Sequence, residues 1–301
     1  INFLIKLRGL GHLATERPLF IMGKYKNIIL NLSLKKIYSH FFLNDTRANS
    51  YYTHIKDLVY EFLLSKFPNY KKEDYEKKLK SLVSQREDYK DLMGDLTNLF
   101  DPNFDNNIQN HYKFYEKHIF FKFILYSINT KLIHNKYSKI YDFAIDEIGE
   151  PLNILEIGGG LPHGLMFNIW KKGKLFCNNF TYIDADLLHA EFIEWYCKKN
   201  TIPFEIKLFP AAKTPKIENI NFNFVFAKDI FEHLDSPEKL IDDLILSTIN
   251  PKTLLCLDLE HKGDKTVQHL NPNLPILKKK LIDNNFKIIK KFEEIHIWKK
   301  D

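Results

Sequence analysis

Apolar residues recur at three- and four-residue steps early in the chain: Ile55, Leu58, Val59, Phe62 and Leu63, then Tyr115, Ile119, Phe123 and Tyr126. A helix has 3.6 residues per turn, so such positions share one face and the spacing predicts amphipathic helices. Phe67-Pro68-Asn69 and Asp101-Pro102-Asn103 interrupt the pattern and predict helix ends or turns. From about residue 150 the texture changes to short apolar runs alternating with helical patterns. Strands are expected at Asn153–Ile157, Phe180–Asp184, Phe204–Phe209, Phe222–Ala227 and Thr253–Leu259. Helices are expected at Leu161–Lys172, Leu187–Lys199, Pro237–Thr248 and Pro275–Asn284. Pro210 and Pro215 leave little room for a helix behind the third strand.

Strands joined through helices need crossover connections, and crossovers give a parallel sheet covered on both faces. The last two strands, Lys287–Phe292 and Glu294–Trp298, stand too close for a crossover. They are expected to pair antiparallel, as a hairpin at one end of the sheet. The chain therefore divides, on its pattern, into a helical region of residues 1–135 and an α/β domain of residues 136–301. No long low-complexity linker separates them, so the helical region is expected to pack directly on the α/β domain.

Composition narrows the class. With 301 residues, 45% of them hydrophobic and 27% charged, the chain has enough apolar material for a sizeable core. The three cysteines, Cys177, Cys197 and Cys256, show no metal-ligand spacing; they fit free thiols and a cytoplasmic location. No metal is expected. No secretory segment is expected, because Ile1–Leu10 carries Lys6 and Arg8 inside its apolar stretch, and no membrane span, because the densest apolar run, Ile119–Ile128, is short and carries Lys122. The net charge of +6 comes almost wholly from lysine, the arginines being Arg8, Arg17, Arg47 and Arg86. Lysines interleaved with acids, as in Lys71-Lys72-Glu73-Asp74, mark a solvated helix face, so a nucleic-acid partner is not expected.

The chemistry concentrates in Leu155-Glu156-Ile157-Gly158-Gly159-Gly160-Leu161-Pro162-His163-Gly164. A strand that ends in glycines and turns into a helix lets backbone approach a ligand closely. Nicotinamide- and phosphate-binding folds use similar turns. Two carboxylates separate this one from them. Glu156, before the turn, suits a cationic ligand group rather than a pyrophosphate. Asp184, ending the next strand, suits the two hydroxyls of a ribose.

Glu156-Ile157-Gly158-Gly159-Gly160, Asp184, and the segment Phe222-Asn223-Phe224-Val225-Phe226-Ala227-Lys228-Asp229-Ile230-Phe231-Glu232-His233-Leu234 together resemble the class I S-adenosylmethionine-dependent methyltransferases. The resemblance covers about 150 residues. It implies a Rossmann-like, seven-stranded, mostly parallel sheet with an antiparallel last strand. It also implies S-adenosylmethionine as cofactor, with Gly158, Gly159 and Gly160 beneath its methionine portion. Glu156 would lie near its amino group, Asp184 at its ribose, and Ala227 and Lys228 along the methionine end. Two departures stand out: Pro162 where the family often has glycine, and no acid in Leu208-Phe209-Pro210-Ala211-Ala212-Lys213 for the adenine.

Methyl transfer to a hydroxyl requires that a proton leave, and a histidine base suits that task near neutral pH. His233 follows the fourth strand, and His261 and His269 lie in the loop after the fifth. The segment ending His269-Leu270-Asn271 loosely resembles methyltransferases of sugars and other small metabolites. The expected activity is methylation of a small hydroxylated acceptor. A macromolecular acceptor, a degenerate methyltransferase fold serving as a binding scaffold, and a nicotinamide oxidoreductase are the alternatives. Residues 1–135 would serve as a cap over the cofactor edge or as a homo-oligomer contact.

Overall fold

The computed structural model describes residues 46–77, 137–158, 160–185, 187–210, 213–218, 220–260 and 273–301. Residues Arg47–Asp301 belong to one compact unit. Among the described residues the helices are α1 (Thr46–Lys66), α2 (72–77), α3 (137–148), α4 (His163–Lys172), α5 (Leu187–Asn200), α6 (Pro237–Ser247) and α7 (Leu274–Asp283). The strands are β1 (Leu152–Ile157), β2 (Cys177–Asp184), β3 (Phe204–Leu208), β4 (Phe224–Ala227), β5 (Leu254–Asp258), β6 (Phe286–Phe292) and β7 (Ile295–Lys300).

They form one seven-stranded sheet in the order β3-β2-β1-β4-β5-β7-β6. Every neighbouring pair is parallel except those of β7, which runs antiparallel to both β5 and β6. The fold is thus a Rossmann-like α/β sheet with an antiparallel last strand and a closing hairpin at one end. β1 pairs with β2 on one side and β4 on the other. Connections leave β1 in one direction and return past it in the other, which opens a crevice at the carboxyl ends of the central strands.

Side chains alternate between the faces with the period of a strand. Leu152 and Ile154 of β1, Phe180 and Tyr182 of β2, and Phe224 and Phe226 of β4 join one buried cluster. Leu155, Ile157, Ile183, Val225 and Ala227 join another on the opposite face. The first cluster is roofed by α1, α3, α4 and α5, the second by α6 and α7.

The apolar stripe predicted at Ile55, Leu58, Val59, Phe62 and Leu63 is buried in full on α1. That helix is anchored by aromatic pairs: Tyr51 meets Phe167 of α4 at 4.9 Å, and Phe62 meets Phe192 of α5 at 5.3 Å. It ends at Lys66, where Phe67-Pro68-Asn69 begins. Tyr115, Ile119, Phe123, Tyr126 and the Asp101-Pro102-Asn103 break lie outside the described residues, as does most of 1–135.

Several boundaries differ from expectation. β4 starts at Phe224 rather than Phe222. Asn223 still bridges to β1, its side-chain oxygen accepting from the Asn153 N–H at 2.8 Å while its own N–H donates to the Asn153 carbonyl at 3.0 Å. β2 starts at Cys177, earlier than predicted, because Cys177 and Asn179 pair with Leu152 and Asn153. α4 starts at His163, with Pro162 as its N-cap rather than inside the first turn.

Candidate functional site

β1 delivers the glycine turn directly into the crevice. Gly158 has φ +67° and Gly160 φ +59°, backbone conformations that L side chains rarely adopt. At Gly158 an added Cβ would also lie 2.4 Å from Ile230 Cδ1, so the turn packs hard against the segment after β4. The Gly158 N–H donates to the Ile183 carbonyl at 2.8 Å, which extends the β1–β2 ladder one residue into the turn. Gly159 lies outside the described residues.

Glu156 and Asp184 point to the same face of the sheet, since each shares the parity of its strand's aromatic-cluster residues. Both are buried, at 2% and 8% exposure. The Tyr141 hydroxyl of α3 donates to Glu156 Oε2 at 3.2 Å. Burial pushes the Glu156 carboxyl up to about 8; the Tyr141 hydrogen bond pulls the other way, and the negative charge of Asp184 adds to the rise. Burial, with Glu156 second, also raises the Tyr141 phenol well above its ordinary value.

Asp184 is tied to the turn itself. Its Oδ2 accepts from the Gly160 N–H at 3.3 Å and from the Tyr182 hydroxyl at 2.6 Å. The same hydroxyl lies 2.7 Å from the Gly160 carbonyl oxygen. Tyr182 is fully buried and stands in register beside Glu156. Neither Tyr182 nor Tyr141 belonged to the predicted site. Tyr182 had a signal: it stands two residues before Asp184, hence on the same face. Tyr141 had none, because only the packing of α3 brings it to β1.

Ala227 closes β4 in register with Ile157 and Leu257. Lys228 follows it, half-buried and ion-paired with Asp229, whose own φ is +50°. His233 is half-buried in a short 3-10 turn, Phe231–His233. The structure therefore sets Glu156, Gly158, Gly160, Asp184, Ala227, Lys228 and His233 on elements meeting at or just beyond one sheet edge. His261 and His269 lie outside the described residues. A further buried carboxylate, Asp258, ends β5 at that edge, on the parity of Cys256 and the aromatic cluster. Tyr137 of α3 packs on Phe226 at 5.3 Å; its phenol is raised first by burial and then by the negative charges of Glu156, Glu294 and Asp258.

All three cysteines are buried free thiols, and burial pushes Cys177 and Cys197 up to about 12, which leaves little nucleophilic thiolate at neutral pH. Among the described residues no group of three or more His, Cys, Asp or Glu is arranged to hold a metal. No helix among them is long and apolar enough to cross a membrane.

No protein-family model matches the chain, and no curated protein sequence matches it. Solved structures are similar to parts of it. A methyltransferase from Aquifex aeolicus, described as S-adenosylmethionine-dependent, is 16% identical over 53% of this chain and 88% of that one, with a TM-score of 0.37. The mitomycin 7-O-methyltransferase MmcR is 11% identical over 66% of this chain and 62% of that one, with a TM-score of 0.43. The [4+2]-cyclase SpnF is 13% identical over 51% of this chain and 58% of that one, with a TM-score of 0.36. The matches thus span less than two thirds of the last two proteins. Likenesses this remote carry no functional weight. Strand order and the glycine crevice define the class on their own: a Rossmann-like α/β protein with a polar site at the carboxyl ends of β1 and β2.

Proposed function

We propose that the chain is an S-adenosylmethionine-dependent methyltransferase acting on a small hydroxylated acceptor, such as a sugar or related metabolite. One observation carries the reading. Two buried carboxylates, Glu156 and Asp184, flank a positive-φ glycine turn at the switch point of the sheet. A ligand with a cationic amino group and a nucleoside suits both carboxylates.

Bound S-adenosylmethionine supplies a methyl group already activated on a sulfonium, so the chemistry left to the protein is largely alignment. Glu156 would receive the amino group as a carboxylate, its proton passing to solvent. Asp184 would accept hydrogen bonds from the ribose hydroxyls, while glycines at 158, 159 and 160 would allow close approach. Ala227 and Lys228 border the methionine end. His233, His261 and His269 are the candidates to take the acceptor's proton. In this reading the protein works in the cytoplasm, and residues 1–135 cap the cofactor edge or join a second copy.

The test is calorimetric titration with S-adenosylhomocysteine. A lost charge-assisted hydrogen bond is worth about 1.5–3 kcal/mol. Asp184→Ala is therefore expected to weaken binding about tenfold or more. Unchanged affinity in a variant that still melts cooperatively would sink the assignment.

A further inference from the structure

We infer that Tyr182 is a positioning residue, one that locks the Asp184 carboxylate and the glycine turn into a single hydrogen-bonded unit for reading a nucleoside's hydroxyls. The inference rests on the proposed cofactor site and deepens it. The unit is a closed ring of contacts. The Gly160 N–H donates to Asp184 Oδ2 at 3.3 Å, and the Tyr182 hydroxyl stands 2.6 Å from that same oxygen and 2.7 Å from the Gly160 carbonyl. One phenolic proton is thus shared between two acceptors, one closing β2 and one in the turn after β1, and Gly160 is held through its N–H and its C=O alike.

Physical necessity makes the arrangement stiff. Tyr182 is fully buried and its ring stacks on Phe180 at 6.2 Å, so the hydroxyl has no freedom to swing to solvent. In a site of low dielectric, a carboxylate that loses a donor bears the whole desolvation penalty. Asp184 is consequently fixed in torsion before any ligand arrives, and a fixed acceptor spends less ordering entropy on binding. Gly160, with φ +59°, is held in its left-handed conformation by the same contacts. A ligand hydroxyl then meets an oriented carboxylate and a set turn rather than two independently moving parts.

The test is a double-mutant cycle of Tyr182→Phe and Asp184→Ala, with S-adenosylhomocysteine as probe and thermal melting as the control for folding. Tyr182→Phe alone is expected to weaken binding about fivefold, the equivalent of one hydrogen bond near 1 kcal/mol. In the Asp184→Ala background the same change is expected to have no further effect, because its route to the ligand is gone. An equal loss in both backgrounds, or no loss in either, overturns the positioning role and leaves the cofactor site standing. If Asp184→Ala itself changes nothing, the proposed function falls and this inference with it. Should Tyr182→Phe fail to fold, nuclear magnetic resonance of the Tyr182 hydroxyl proton in the parent protein decides the matter: a resonance protected from solvent exchange supports the closed unit, and a hydroxyl that exchanges freely overturns it.

Discussion

The two faces of the sheet are packed from different materials. Beneath α1, α3, α4 and α5 the core is aromatic, with Tyr51, Phe62, Tyr141, Phe180, Tyr182, Phe192 and Phe224 all buried. Beneath α6 and α7 it is mostly aliphatic, with Leu240, Ile241, Leu244, Leu255, Leu257, Leu277 and Leu281. The difference has a chemical consequence. A phenol brings a donor into the core along with its apolar ring, so the aromatic face can hold buried carboxylates that an aliphatic one would leave unpartnered. Glu156 and Asp184 lie on that face, each with a tyrosine hydroxyl on it. The aliphatic face holds His296 instead, its imidazole lowered first by burial and then by Lys291, with Glu260 at 3.7 Å drawing it the other way.

Perturbing each face should separate packing from proton chemistry. The largest effect is expected from Glu156, whose carboxyl is raised from 4.5 to about 8. Below pH 4.5 both the folded and unfolded chains hold its proton. Between there and about pH 8 only the folded chain does, so stability contributed by this group falls as pH rises through that window and levels out above it. Glu156→Gln removes the ionisation and keeps an acceptor for Tyr141. Chemical denaturation at a series of pH values should show the variant gaining several kcal/mol on the parent by the top of the window; parallel curves would contradict the raised carboxyl.

On the aliphatic face, Leu244→Ala empties a fully buried position and is expected to cost about 2–5 kcal/mol. Its denaturation curves should keep the parent's pH dependence, and the folded fraction should keep its affinity for S-adenosylhomocysteine. A changed affinity would mean that the faces are not independent.

Gly164→Ala works at the junction of α3 and α4. The added Cβ would lie 2.4 Å from Tyr141 Cε2 and 2.7 Å from its Cδ2. Overpacking of this kind costs about 1–3 kcal/mol, against a gain of up to about 1 kcal/mol in helix propensity. Net destabilisation is expected, together with a further rise of the Glu156 carboxyl as Tyr141 is displaced. Tyr141→Phe makes the same break without the clash, for about 1 kcal/mol. Nuclear magnetic resonance titration of the Glu156 carboxyl would check both: a midpoint that stays put in Tyr141→Phe argues against the hydrogen bond.

Much of the fold was legible because it rests on local periodicity. The alternating texture after residue 150 carried the parallel sheet, and the short gap before Ile295 carried the hairpin. The positions of Glu156, Gly158, Gly160 and Asp184 were legible because each lies at or just past the end of a strand. Tyr141 was not, since fifteen residues and a helix-to-sheet packing decision separate it from Glu156. Asn223 was read as strand because its neighbours are apolar, yet its side chain does the work of a backbone partner.

By itself, then, the amino-acid order settled, among the described residues after 150, which segments are strands, which are helices, and which residue types close β1 and β2. Those properties depend on neighbours within a turn or two of chain. Only the tertiary structure decided that β1 lies between β2 and β4, that both carboxylates face the aromatic core, and that Tyr182 joins Asp184 to Gly160. These are relations between separate segments of the chain, and their energies exist only once register and burial have brought those segments together.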